Sequence, residues 1–119
     1  MAKKSKVFDG SPAVETPPAP AHLSAEAAAW WARVLTSYDL ADEALLILEG
    51  ALEMFDRMRE AQKHIATHGI VMTNERGMPH ANPACRVEKD AKTSMLSHFR
   101  ELGLNLEPLH ATPGRPAGK

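Results

Sequence analysis

A single cysteine, Cys85, among 119 residues rules out an intrachain disulfide and fits a reducing compartment. Neither charge is in excess, since fourteen Lys and Arg oppose fifteen Asp and Glu. Net charge therefore gives no sign of nucleic-acid binding, which would have to come from local patches or from many copies acting together. No apolar run approaches the roughly 20 residues of a membrane span. The lysines Lys3, Lys4 and Lys6 are followed by no apolar segment, so a signal peptide is not expected and the chain reads as cytosolic. Large core side chains are also few: the hydrophobic fraction is 44%, but alanine supplies much of it. A small alanine-rich helical unit buries little surface alone, which favours assembly with copies of itself. The chain has no GxxxxGKS/T phosphate loop, no GxSxG elbow and no HExxH helix. No spacing assembles nucleophile, base and orienter, so no catalytic residue and no cofactor is assigned. The place of Cys85 in the first turn of an expected helix is the sole feature favouring a reactive thiol.

What is present is helical periodicity. From Leu40 to His68, apolar residues recur at Leu45, Leu48, Leu52 and Phe55, with a second row at Ala44, Ile47, Ala51, Met54, Met58, Ala61 and Ile65. The stripe is wider than one covering helix needs. At about 1.5 Å per residue the rod is roughly 40 Å long, a length that points to a helical hairpin, an oligomer, or both. Asp39 or Asp42 is expected to cap it. Asp42, Glu43, Glu49, Glu53 and Asp56 occupy its first half and Arg57, Arg59 and Lys63 its second. That order complements the helix dipole and also suits head-to-tail subunit contacts. Gly50, at a cost of about 1 kcal/mol against alanine, marks close helix packing.

Before the rod, residues 1–22 hold the three lysines and four prolines between Pro12 and Pro20, the composition of a disordered or extended arm. Either it is an inert tail or it is a basic arm that touches phosphate or a partner protein. Ser24 caps a first helix running to about Tyr38, with Glu26 in its first turn. Trp30 shares a face with Ala27 and Val34 and is expected as a core anchor. Trp31, about 100° around, is expected to meet a neighbouring subunit.

Beyond the rod, Gly69 is a helix terminator, and Ile70–Thr73, a Gly77-containing turn and Met78–Ala81 form a small hairpin or loop. It is the only strand-like stretch expected, and Pro79 limits it to an edge. Asn82 and Pro83 start a third helix, and Ala84, Val87, Ala91, Met95, Phe99 and Leu102 form its apolar stripe before Gly103 ends it. The expected fold is all-α: a long antiparallel helical hairpin bridged by a small β-hairpin or loop, with a short N-terminal helix packed on it. Residues 1–22 form the arm, 23–106 the oligomerisation core and 107–119 a flexible tail. His64 and His68, with Glu60 a turn earlier, lack a third ligand at zinc spacing in Cys85 or His80, and no metal is assigned.

The second half carries an ordered set of features: Ile65-Ala66-Thr67-His68-Gly69, the turn at Gly77, Asn82-Pro83-Ala84, and Phe99-Arg100-Glu101-Leu102-Gly103-Leu104 with Pro108 nearby. The first half adds Leu23-Ser24 leading into Trp30-Trp31, and the helix start from Leu40 containing Asp42. Together, over roughly residues 23 to 110, they resemble the small subunit of bacteriophage terminase, in the helical family of tailed phages and prophages. Asn105-Leu106-Glu107 departs from that pattern, which places its proline sooner.

The resemblance implies a ring-forming, non-enzymatic homo-oligomer in the host cytoplasm. It would recognise the packaging start on double-stranded viral DNA and deliver it to the large terminase subunit, an ATPase and nuclease. Candidate DNA contacts are Lys3, Lys4, Lys6, Arg76, Arg86, Lys89 and Arg100, set against the ordinary role of such residues as solvated surface charge. Candidate subunit contacts are Trp31, Ile47, Ala51 and Met54. Two rivals stand beside this reading: a helical adaptor that binds only protein, and a small dimeric DNA-binding regulator. A helix-turn-helix at the Ser37–Asp39 break is disfavoured, because the helix after it is far too long for a typical recognition helix.

Overall fold

A computed structural model describes residues 3–4 and 16–104. Helix α1 spans Ala25–Ser37, α2 Asp42–His68 and α3 Pro83–Leu102. Strands β3, Val71–Thr73, and β4, Pro79–Ala81, pair antiparallel between α2 and α3 with Val71 opposite Ala81 and Thr73 opposite Pro79. The mainly helical architecture matches the expected all-α hairpin. A second ladder was not foreseen: β1, Lys3–Lys4, pairs antiparallel with β2, Tyr38–Asp39, at the α1–α2 junction.

The three helix starts differ in chemistry. Ser24 Oγ accepts from the Ala27 backbone N–H, and Asn82 Oδ1 from that of Ala84, each satisfying a donor the helix leaves open. Helix α2 instead starts at Ala41 with no side-chain cap, so neither Asp39 nor Asp42 caps it. Asp42 and Glu43 lie in the first turn, where the dipole stabilises their charge.

The core sits between α2 and the two helices that cover it. Leu48 and Leu52 are fully buried on α2, with Ala44, Ala51, Phe55 and Met58 around them, Ala91 and Leu102 from α3, and Ala27 and Trp31 from α1. Helices α2 and α3 run antiparallel, with Gln62 bonded to Glu88 near one end and Gly50 against His98 toward the other. A Cβ on Gly50 would lie 2.9 Å from His98 Nε2, so the glycine does permit close helix contact. On α3 the buried and half-buried face includes Ala84, Glu88, Ala91, Met95, His98 and Leu102, and Val87 is exposed. Of the expected stripe only Val87 departs, and Glu88 beside it is half-buried and accepts from Gln62 Nε2 at 3.0 Å.

The burial of the two tryptophans is the reverse of the expectation. Trp31 is only 5% exposed and Trp30 is 41% exposed. Ala27 belongs to both possible faces of α1, so helical spacing alone did not choose between the two. The choice is made by residues 16–22, expected as part of the arm. The Pro17 carbonyl accepts from Trp31 Nε1 at 2.9 Å, Leu23 N donates to the Pro20 carbonyl, and Ala19 packs on the core. The ordered core therefore begins before residue 22. The expected arm over residues 1–2 and 5–15 and the tail over 107–119 lie outside the described residues.

Candidate nucleic-acid and subunit interfaces

The topology divides the basic candidates between the two ends of the α2–α3 hairpin. Arg76 lies in the turn between β3 and β4, where its N–H donates to Asn74 Oδ1 at 2.8 Å. Arg86 and Lys89 are exposed on the first turns of α3, at the same end as that turn. With Asn82, Cys85 and Asp90 they line a depression of about 770 Å³. Lys3 and Lys4 pair by their backbones with β2 at the opposite end, and Arg100, exposed near the C-terminus of α3, lies toward that end too. Fourteen residues separate Arg86 from Arg100, or about 21 Å along a helix. Lys6 lies outside the described residues.

These cations do not form a bare basic face. Arg86 Nε is 3.9 Å from Asp90 Oδ2, an exposed i,i+4 pair, and Lys92 pairs with Glu88 at 3.7 Å. The Arg86–Asp90 pair is exposed at both ends, and such pairs hold their side chains weakly.

The expected subunit contacts divide by burial. Ala51 is fully buried and Trp31 nearly so within the protomer. Ile47 is half-buried and packs against the core, and Met54 is half-buried. Pairing with α3 consumed more of the α2 stripe than periodicity alone suggested. Trp30, Val34, Phe55, Met95 and Phe99 meanwhile line an apolar groove of about 400 Å³. Arg33 lies over the Trp30 ring at 4.6 Å, and Arg59 over Phe55 at 4.9 Å. Arg59 also grips both oxygens of Glu26, at 3.2 and 3.1 Å. Hydrogen bonding to Glu26 raises the Arg59 pKa above its ordinary value against the opposing effect of desolvation.

The acidic half of α2 has a role that sequence reading missed. Asp56 accepts from Ser24 N at 2.9 Å and from Ser24 Oγ at 2.5 Å, and Glu53 Oε2 lies 2.7 Å from His22 Nε2. The partners are more than thirty residues apart, so no local spacing signals them. Their effect is to fasten the segment before α1 onto α2. Elsewhere on α2, the His64 and His68 rings lie 4.4 Å apart, and His64 Nδ1 meets Asn82 Nδ2 at 3.2 Å. Among the described residues neither belongs to a group of three potential metal ligands. Cys85 is half-buried beside Arg86 and Lys89.

No described helix is long and apolar enough to cross a membrane. No curated protein and no solved structure matches the chain. The family described as "Phage terminase, small subunit" matches residues 27–107, a span that holds nearly all of α1, the whole of α2, the β3–β4 hairpin and α3. With the match extending over most of the sequence and all three helices, the chain belongs to the phage terminase small subunit family.

Proposed function

We propose that the chain is the non-catalytic DNA-recognition subunit of a viral DNA-packaging motor. In the host cytoplasm it assembles as a homo-oligomeric ring, binds the packaging initiation site on double-stranded viral DNA, and engages the large terminase subunit, an ATPase and nuclease. The observation that carries this reading is the family match across the three helices. Near-neutral net charge is compatible with it, because a ring multiplies weak phosphate contacts through effective concentration. DNA contacts are proposed for Arg76, Arg86 and Lys89 at the hairpin end, and for Lys3, Lys4, Lys6 and Arg100 at the other. Subunit contacts are proposed at Ile47 and Met54, with exposed Trp30 in the place first given to Trp31.

The test combines native mass measurement with binding to duplex DNA carrying the phage start site, across a salt series. Charge reversal of Arg76, Arg86 and Lys89 is compared with reversal of Lys3, Lys4 and Lys6. The expected result is a multimer whose affinity and salt slope both fall in at least one of the two variants. A dimer would favour the regulator. A multimer that binds no DNA would favour the protein adaptor.

A further inference from the structure

The nitrogen that His22 turns toward α2 faces two carboxylates. Its Nε2 lies 2.7 Å from Glu53 Oε2 and 3.7 Å from Glu49 Oε2, and the three ligating atoms all fall within 4.8 Å of one another. We propose that His22, Glu49 and Glu53 form a binding site for a first-row divalent cation of the Zn2+ type. Tetrahedral Zn2+ holds nitrogen and oxygen ligands at about 2.1 Å, which sets ligand atoms roughly 3.4 Å apart. The distances from His22 Nε2 to the two carboxylate oxygens straddle that value, and the two oxygens lie within 4.8 Å of each other, so modest shifts of the side-chain ends bring the three atoms to corners of the tetrahedron. Water supplies the fourth from the depression of about 500 Å³ that His22 and Glu53 line.

A hydrogen bond between His22 and Glu53 explains only part of this arrangement. Glu49 is too distant to share that bond, yet it converges on the same nitrogen. Glu49 and Glu53 stand at i,i+4 on α2, where like charges repel. A cation between them turns that repulsion into attraction. The mixed imidazole and carboxylate set selects Zn2+ and its neighbours over Mg2+ or Ca2+, which take all-oxygen shells. Binding requires the unprotonated imidazole and weakens on acidification.

The site joins the segment before α1 to α2, beside the Ser24–Asp56 contacts. A bound cation therefore fastens the described segment before α1 to α2 at a second point. It acts as a clamp on that segment.

The test titrates ZnCl2 into the EDTA-treated full-length chain by calorimetry, with thermal unfolding and amide exchange as second readouts. One equivalent is expected to bind at this site, raise the melting temperature and slow exchange from His22 to Ala27. Glu49→Gln keeps the His22–Glu53 bond and relieves the like-charge repulsion on α2, so the metal-free melting temperature does not fall while Zn2+ affinity drops more than about tenfold. His22→Ala is expected to abolish the site, with circular dichroism checking the fold. A variant carrying His64→Ala and His68→Ala controls for the other histidine pair and keeps the His22 site. The proposal is overturned if the wild-type chain takes up no Zn2+, if binding is unaffected by both Glu49→Gln and His22→Ala, or if it disappears only with the His64 and His68 substitutions.

Discussion

Asn82 Nδ2 donates to the Gly69 carbonyl oxygen at 2.7 Å, so the residue that starts α3 also secures the end of α2. The same side chain caps Ala84 N through Oδ1 and meets His64 Nδ1, and its backbone N–H donates to the Ile70 carbonyl. Asn82 is 1% exposed, so none of these partners can be replaced by water without opening the structure. Asn82→Ala removes a cap and leaves a carbonyl unpaired, and is expected to lower stability by about 2–4 kcal/mol in chemical denaturation. Asn82→Asp keeps the cap but loses the donor, and should fall between the two. Equal stability of all three would remove Asn82 from this role.

Gly50 and His98 form a second coupled pair. Replacing Gly50 by alanine gains about 1 kcal/mol of helix propensity but drives the new Cβ into the His98 ring. That ring is anchored, since its Nδ1 lies 2.7 Å from the Ser94 carbonyl. Gly50→Ala is expected to destabilise the wild-type chain, and to stabilise a His98→Ala background by roughly 1 kcal/mol. A double-mutant cycle measures the coupling, and the same sign in both backgrounds would show that the ring moves aside freely.

The two tryptophans are expected to respond in opposite ways. Trp31→Ala opens a cavity in the core and frees the Pro17 carbonyl, at a cost of about 3–5 kcal/mol. Trp30→Ala removes an exposed ring with Arg33 over it, and should change protomer stability by less than about 1 kcal/mol. Thermal melts with tryptophan fluorescence distinguish them. A reversed order would return Trp30 to the core.

Met54→Glu places a charge at the half-buried edge proposed for the subunit contact. It is expected to reduce the assembly to smaller species in sedimentation while helicity by circular dichroism stays within error. If size survives along with helicity, Met54 belongs to the protomer alone.

The helices were legible because each carries its own local signals. Ser24, Pro83, Asn82, Gly69 and Gly103 stand at or beside helix ends, as their backbone chemistry demands. Gly50 signalled close packing for the same reason, since its missing side chain is a property of one position. The second ladder was not legible, because Tyr38–Asp39 is too short to show alternation and its partner lies far away in sequence. The clamp of His22 and Ser24 on Glu53 and Asp56 was hidden likewise. Each acid also satisfied the helix-dipole explanation, which needs no partner at all.

Periodicity and capping, acting within one or two turns, determined by themselves that this chain makes three helices with a hairpin before the last. They did not determine which side of a helix meets which neighbour. Trp30 and Trp31 are one residue apart on α1, and only the docking of residues 16–22 and α2 buries one and exposes the other. The same holds for Ala51, which is fully buried in the protomer although its row on α2 looked wide enough to meet a neighbour. Burial depends on contacts between distant segments, and a 3.6-residue repeat records only that a face is apolar, not what covers it.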